Sequence, residues 1–194
     1  QFAIVAYRIG ARAVEAPLGK NFAVDIDALL AAVTPATRVV FLANPNNPTG
    51  ALYPDEILQG ILQIAREHDL IVYADEIYDK TLYDGHTHTS IASLADDVFC
   101  VTYGGLSKNY RACGYRTGWM VISGAKAHAQ DYIDGLNILA SMRLCANVPG
   151  QFAIQTALGG YQSINDLVAP GGRLYDSRQA IIDGYPEHER EART

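Results

Sequence analysis

Three short apolar runs, at residues 39–42, 70–74 and 98–103, constrain the fold of this chain most strongly. Each run is apolar at successive positions, so both of its faces can be buried, which is typical of strands in a parallel sheet. Segments with helical periodicity lie between and after them. The pattern predicts an α/β protein with a largely parallel sheet.

The segments around these runs predict further elements. Residues 26–33 and 55–68 carry apolar side chains at helical spacing, with Asp25 placed to cap the first helix and Pro54 at the first turn of the second. The remaining predicted elements are the end of a helix at 2–9, strands at 11–17 and 119–122, and helices at 125–137, 150–161 and 172–183.

Charge and cysteine content exclude several classes of protein. The formal net charge of −6 leaves no surplus of positive charge for a nucleic-acid backbone. The three cysteines form no C-x-x-C pair, which favours a reducing compartment, and we expect Cys100, Cys113 and Cys145 to be small buried residues. No apolar run is long enough to cross a bilayer. We therefore expect a cytoplasmic protein that binds neither nucleic acid nor membrane.

Polar residues follow each of the three buried runs. The first run leads into the loop 44–50, in which we interpret Asn44 as a turn residue, the second ends at residues 75–76, and the third leads into residues 104–108. In open α/β sheets, ligands bind at the carboxyl ends of the strands. We therefore expect these three clusters to meet in one site, although they are far apart in sequence.

Four motifs in these clusters resemble, in order and spacing, the fold-type I pyridoxal-phosphate-dependent aminotransferases of class I/II. They are Asn47-Pro48-Thr49-Gly50, Ala74-Asp75-Glu76-Ile77-Tyr78, Leu106-Ser107-Lys108 and Gly114-Tyr115-Arg116-Thr117-Gly118. Residues 73–80, 141–149 and 155–161 look most like the alanine-aminotransferase-like branch. The opening segment, residues 7–48, looks more like the histidinol-phosphate aminotransferase branch.

The resemblance implies a three-layer α/β/α large domain with a mostly parallel sheet. It extends to about residue 183 but covers only the middle half or so of a family member. We therefore expect residues 1–183 to be part of the pyridoxal-phosphate-binding large domain, and residues 184–194 to be a charged C-terminal tail. Because family members are typically homodimers, a homodimer is implied here too.

Two residues carry the chemistry that the resemblance implies. Lys108 matches the lysine that holds the cofactor as a Schiff base, and Asp75 matches the acidic residue that faces the ring nitrogen. The cofactor is an electron sink only while that nitrogen is protonated, and a carboxylate ~3 Å away attracts it by about 5 kcal/mol at an effective dielectric of about 20. The released amine of Lys108 would act as base and then acid, and we expect burial to favour its neutral form.

Two other residues match hydrogen-bond donors to the cofactor. Tyr78 and Asn47 match the pair that stabilises its phenolic oxygen, and Asn47 is also predicted to contact substrate. Taken alone, Asn47 would be a turn residue and Tyr78 a core aromatic. Likewise, Asp75 alone would be a helix cap and Lys108 a solvated surface lysine. The combination and spacing of the four residues favour the cofactor site.

The phosphate of the cofactor is assigned two further residues by the same resemblance. Arg116 matches the arginine that grips the phosphate, a task suited to a planar, forked donor. Ser107 matches the neighbouring hydroxyl residue, which either binds the phosphate or orients the lysine. The family often has a second hydroxyl two positions earlier, where this chain has Gly105.

The implied reaction is transamination between a small, alanine-like amino acid and a 2-oxo acid such as 2-oxoglutarate. Same-fold alternatives are a histidinol-phosphate aminotransferase, a pyridoxal-phosphate-dependent lyase and a non-catalytic, cofactor-sensing regulator domain. The family's glycine-rich phosphate turn, ring-stacking aromatic and substrate-binding arginine fall outside the matching segment. We therefore expect an incomplete portion of the enzyme that turns over poorly by itself.

A metal site is not expected. His86 and His88 are separated by one residue in a turn-rich stretch without further ligand candidates nearby. A solvated loop is the simpler interpretation of the pair.

Overall fold

The computed structural model describes residues 6–47 and 49–184, and its centre is one four-stranded sheet in the order β1-β2-β3-β4. The strands are β1 Val39–Ala43, β2 Ile71–Asp75, β3 Cys100–Gly105 and β4 Gly118–Ser123. The first three strands pair in parallel, and β4 pairs antiparallel with β3. The predicted mostly parallel sheet is therefore confirmed.

Helices flank the sheet and follow it in sequence. They are α1 Ile26–Ala32, α2 Asp55–Glu67, α3 Gln130–Arg143, α4 Val148–Gly159, α5 Ile164–Val168 and α6 Arg173–Gly184. Short 3₁₀ turns occur at Lys20–Phe22, Ile91–Ser93, Cys113–Tyr115 and Lys126–His128. As predicted, Asp25 caps α1, because its Oδ1 accepts a hydrogen bond of 2.9 Å from the backbone N–H of Ala28.

The main core lies between α2 and one face of the sheet. The buried face of α2 carries side chains at helical spacing, among them Leu58, Ile61, Leu62 and Ala65. They belong to one buried cluster with alternate residues of the parallel strands, namely Val40, Leu42, Val72, Ala74 and Cys100. Burial of this continuous apolar surface is what holds α2 against the strands.

A second helical layer contacts the opposite face of the sheet. Tyr73 alternates with the core residues of β2, and its hydroxyl lies 2.7 Å from that of Tyr132 on α3. The Tyr132 ring also packs edge-on against Phe99, with ring centroids 5.5 Å apart. With α2 on one face and α3 on the other, the sheet has helices on both sides, in agreement with the predicted α/β/α arrangement.

Several sequence expectations were wrong in their details. Residues 11–17 contain no strand, because their alternating pattern finds no neighbouring strand to pair with. Two cysteines expected to be buried, Cys113 and Cys145, are exposed, whereas Cys100 is buried as predicted. The short helix α5 was not predicted, and α3 begins after a 3₁₀ turn and extends beyond residue 137.

Two expectations fall partly or wholly on residues that the structure does not describe. The predicted helix end at residues 2–9 is described only from residue 6, and residues 6–8 are helical. The predicted tail, apart from Gly184, lies outside the described residues. Among the residues described, no helix has the length and apolar character needed to cross a membrane.

The core assignment predicts a sharp contrast between two leucines on helices. Leu58→Ala should lower the free energy of unfolding by about 2–5 kcal/mol, because it leaves a cavity in a fully buried site. Leu139→Ala, at a position that is 63% exposed, should change it by less than about 1 kcal/mol. Urea unfolding followed by circular dichroism measures both changes, and equal losses would contradict the core described above.

Candidate active site

Strand pairing brings the polar clusters to one edge of the sheet. Asp75, the last residue of β2, pairs with Ala43 on one side and Tyr103 on the other. Because β4 runs antiparallel, its first residue, Gly118, pairs with Gly105 at the end of β3. The residues that follow β1, β2 and β3 therefore lie at the same edge as those that precede β4. This edge is the convergence that the sequence predicts.

Asp75, Tyr78 and Lys108 form the centre of the site. The amine of Lys108 lies 5.4 Å from the centroid of the Tyr78 ring. Burial raises the pKa of Asp75 above its usual range, while a backbone hydrogen bond from Ile77 and the positive charge of Lys108 act in the opposite direction. An acid, a phenol and an amine are thus neighbours at the edge of the sheet.

Lys108 and Ser107 lie in the turn that follows β3. Ser107 is half-buried, but Lys108 is exposed, so the expectation that the lysine is buried is wrong for this chain. The turn follows the end of a buried strand, which brings the lysine to the edge without covering its side chain. An exposed amine can be reached by a ligand from solvent.

Asn47 lies in a loop that its neighbour Asn46 holds in shape. The Oδ1 of Asn46 accepts a hydrogen bond of 2.7 Å from the Thr49 hydroxyl, and its backbone N–H donates to the carbonyl of Ala51 at 2.7 Å. Gly50 completes the turn with a φ of +76°, a conformation that glycine adopts without strain. Asn47 itself is exposed, and the described contacts do not join it to Lys108.

Arg116 stands just before β4, also at the site edge. Its backbone is in the left-handed region, with a φ of +49°, and its Nη1 donates to the carbonyl of Cys113 at 2.9 Å. The guanidinium is exposed, so most of its donors face solvent. The structure places Arg116 on the same edge as Lys108, but no described contact joins their side chains.

Gly105 occupies the position where the family often has a second hydroxyl. A Cβ atom there would lie 3.1 Å from Cδ1 of Ile77 and 3.2 Å from the carbonyl oxygen of Thr117. A serine would therefore require its neighbours to move, which gives a packing reason for glycine at this position.

Sequence reasoning missed the structural importance of Asn44 and Glu76. Asn44 is 1% exposed, and its Oδ1 accepts a hydrogen bond of 2.9 Å from the backbone N–H of Tyr53, so it is far more buried than an ordinary turn residue. Glu76 is buried and accepts hydrogen bonds from the Ser90 hydroxyl at 3.0 Å and the Ile91 N–H at 3.1 Å. Each of the two residues directly follows a buried strand, and this is the sequence feature that could have indicated its burial.

The expectation that His86 and His88 both lie in solvent is correct for only one of them. His86 is exposed, but His88 is half-buried, and its Nε2 lies 3.0 Å from the backbone carbonyl of Asn44. Burial lowers the pKa of His88, and the negative charge of Asp79 partly opposes this effect. In residues 6–47 and 49–184, no group of three or more potential ligands is arranged to hold a metal ion.

The side chains at this edge suit one kind of ligand. A carboxylate can pair with a protonated ring nitrogen, a phenol can donate to an oxyanion, and an amine can attack a carbonyl carbon. A forked guanidinium suits a phosphate group. Asp75, Tyr78, Lys108 and Arg116 carry groups of these four kinds, and the set fits pyridoxal phosphate.

Comparison with known proteins identifies the family. The family model described as "Aminotransferase class I and II" matches residues 2–185. The chain belongs to this aminotransferase family. The resemblance predicted from the four motifs is thereby confirmed, and the sheet with its antiparallel fourth strand is the form that the family fold takes here.

Individual relatives are similar to the chain over much of its length. The glutamate-pyruvate aminotransferase AlaA of Escherichia coli strain K12 is 61% identical over 154 residues, which are 79% of this chain and 38% of that protein. The alanine aminotransferase of Mycobacterium tuberculosis strain H37Rv is 56% identical over 154 residues, 79% of this chain and 36% of that protein. The chain thus spans less than half the length of these aminotransferases.

A solved structure supports the fold assignment. The alanine aminotransferase from Pyrococcus furiosus superposes with a TM-score of 0.84 at 32% sequence identity. The superposition covers 94% of this chain and 46% of that one. The described sheet and helices therefore have counterparts in an aminotransferase of known structure.

Because of Glu76, the stability of the folded chain should depend on pH. Burial raises the pKa of Glu76 from 4.5 to about 7, although hydrogen bonds from Ser90 and Ile91 oppose the shift. The folded chain then holds this proton more tightly than the unfolded chain. The stability that the proton provides is present below about pH 4.5 and is lost as the pH rises towards about 7.

Glu76→Gln should remove this contribution. Between about pH 4.5 and about pH 7, the free energy of unfolding of the parent should fall relative to that of the variant. Urea titrations at several pH values measure the difference, and Glu56→Gln, a change at an exposed position of α2, is the matched control. Curves for parent and Glu76→Gln that stay parallel across this range would contradict the raised pKa.

Proposed function

We propose that the chain is the pyridoxal-phosphate-binding part of an aminotransferase acting on alanine or a similar small amino acid and a 2-oxo acid such as 2-oxoglutarate. The observation that carries the proposal is the grouping of Lys108, Tyr78 and Asp75 at the carboxyl edge of the sheet. Family membership gives this grouping its chemical meaning.

Each site residue has a proposed task towards the cofactor. Asp75 pairs with the ring nitrogen, and Tyr78 and Asn47 donate hydrogen bonds to the phenolic oxygen. Arg116 and Ser107 bind the phosphate, for which the largely free guanidinium of Arg116 is suited. When bound, pyridoxal phosphate supplies an electron sink that stabilises negative charge at the substrate Cα.

Lys108 is the proposed catalytic residue. Its amine would attach the cofactor covalently and, once released by an incoming amino acid, would take the proton from the substrate Cα. The same nitrogen would then give that proton to the imine carbon of the cofactor. The position of the amine supports this task, since it lies 5.4 Å from the centroid of the Tyr78 ring and its charge acts on Asp75.

The relatives favour an alanine-type substrate over the same-fold alternatives. The names "glutamate-pyruvate aminotransferase" and "alanine aminotransferase" belong to relatives of 61% and 56% identity. Pyruvate and alanine are the oxo and amino forms of one small carbon skeleton, which suits the predicted aliphatic donor. Asn47 is proposed to contact this substrate. We also propose that the active protein is a cytoplasmic homodimer.

The domain assignment is part of the same proposal. Residues 1–183 are proposed to be part of the cofactor-binding large domain, and residues 184–194 a charged tail. The chain covers 38% of the Escherichia coli relative. The proposed activity therefore belongs to the whole protein, and residues beyond this span are expected to complete the substrate site.

Cofactor attachment gives the most direct test. Pyridoxal phosphate added to the 194-residue chain should produce a visible absorption band that borohydride makes permanent, with the label mapped to Lys108. Lys108→Ala should lose the label, whereas Lys126→Ala, which removes another exposed lysine, should keep it. Labelling spread equally over all lysines would reject Lys108 as the attachment site.

Product analysis tests the reaction class. With alanine and 2-oxoglutarate, the whole protein should form pyruvate and glutamate in equal amounts, with the Escherichia coli relative as a positive control. The 194-residue chain should be slower by at least about a hundredfold, because the residues that position substrate are incomplete.

Other outcomes of the same assay would redirect the assignment. Ammonia released without consumption of the oxo acid would indicate a lyase. Transamination of histidinol phosphate in preference to alanine would indicate the other aminotransferase branch. Cofactor binding by the whole protein without turnover of any of these substrates would indicate a sensing domain, and comparable rates for the chain and the whole protein would contradict the predicted incompleteness.

A further inference from the structure

Asn109, the residue after Lys108, is held by a buried network that the proposed chemistry does not use. It is 4% exposed, although its neighbour Lys108 is exposed. Its Nδ2 donates a hydrogen bond to Oδ1 of Asp79, and its Oδ1 accepts one of 2.9 Å from the hydroxyl of Thr81. Both ends of the amide are therefore attached to the segment that follows β2.

The segment held by Asn109 is the turn that carries Tyr78. The backbone N–H of Asp79 donates to the carbonyl of Glu76 at 3.0 Å, and that of Thr81 donates to the carbonyl of Tyr78 at 2.9 Å. Asp79 and Thr81 are thus parts of one hydrogen-bonded turn around Tyr78. A displacement of this turn relative to Asn109 would also displace Tyr78 relative to Lys108.

The lysine loop is likewise fixed by its own backbone. The N–H of Arg111 donates to the carbonyl of Lys108 at 3.1 Å, and that of Ala112 donates to the carbonyl of Leu106 at 3.0 Å. Asn109 therefore joins two internally bonded units, the lysine loop and the Tyr78 turn. It does so at the residue next to the amine.

A second contact between the same two units supports this interpretation. The amine of Lys80 lies 3.3 Å from the hydroxyl of Tyr110 and 2.5 Å from Oε1 of Gln162 on the segment before α5. Lys80 is half-buried and engaged in these contacts, which makes it a structural lysine rather than a second candidate for cofactor attachment. The two units are thus joined by residues 109 and 110 of the lysine loop and residues 79–81 of the Tyr78 turn.

We propose that Asn109 and Asp79 are positioning residues whose amide–carboxylate contact sets the distance between the amine of Lys108 and the groups of Tyr78 and Asp75. This inference rests on the proposed function, because it assumes that Lys108 attaches the cofactor. An amide suits the position better than an acid, since it offers a donor to Asp79 and an acceptor to Thr81 at once. A carboxylate at 109 would face the carboxylate of Asp79, and the like charges would repel.

Exchange of the two side chains tests the contact. Asn109→Asp alone puts two carboxylates together, whereas Asn109→Asp combined with Asp79→Asn restores a donor opposite an acceptor and keeps the total charge of the pair. Gln130→Glu is the matched control, because Gln130 donates to Asp134 at 2.8 Å on the exposed surface of α3. Asp79→Asn completes the double-mutant cycle.

The measured quantity is the selectivity of labelling at Lys108. Each variant is treated with sub-saturating pyridoxal phosphate and borohydride, and the label at Lys108 is divided by the label at Lys126 in the same sample. We expect the ratio to fall by about tenfold in Asn109→Asp, to stay within about threefold of the parent in Asp79→Asn, and to recover in the double variant. Gln130→Glu should leave it unchanged, and circular dichroism shows which variants are folded.

Recovery of the labelling ratio in the double variant distinguishes a positioning role from a general effect on stability. A folded Asn109→Asp variant that keeps the parental ratio would overturn the inference, as would a double variant that stays low or does not fold. If Asn109→Asp does not fold, a folded double variant with the parental ratio still supports the proposal. A parent chain with no preference for Lys108 would reject the proposed function, and this inference with it, whereas failure of the exchange alone would reject only the positioning role.

Discussion

Parallel pairing of β1, β2 and β3 is the constraint on which the rest of the molecule depends. It places Ala43, Asp75 and Tyr103 side by side in the sheet. The polar segments that follow the three strands therefore lie at the same edge, where the strands end. The antiparallel β4 brings the segment around Arg116 back to the same edge. Burial of apolar side chains on the face covered by α2 fixes this pairing, because a slip of one residue would turn the core face outward. The site is therefore a consequence of the core.

Opposing electrostatic effects meet at that edge. Burial at the sheet raises the pKa values of both Asp75 and Glu76, while the charge of Lys108 favours the ionised form of Asp75. The ionised form of Glu76 is favoured by hydrogen bonds from Ser90 and Ile91 and disfavoured by the negative charges of Asp79 and Asp75. Two adjacent carboxyl groups are thus given different environments.

Strong periodic segments were the most predictable parts of the chain. The buried strands and the amphipathic helix α2 follow from local patterns that tertiary contacts reinforce, so their prediction succeeded. The strand expected at residues 11–17 failed, because alternation does not create a strand without a neighbour to pair with. Predictions of side-chain burial failed at Cys113, Lys108 and His88, because burial depends on what packs over a residue and not on its type.

The sequence by itself determined the fold class, the family and the candidate site residues, because these depend on periodicity and on motifs written in consecutive residues. Only the tertiary structure decided that Lys108 lies over Tyr78, that Glu76 and Asn44 are buried, and that Asn109 joins the two loops. These facts depend on contacts between residues that are 9 to 44 positions apart in the chain, and no local pattern encodes such contacts. Spatial proximity at the sheet edge arises from strand register, which exists only once the sheet has formed.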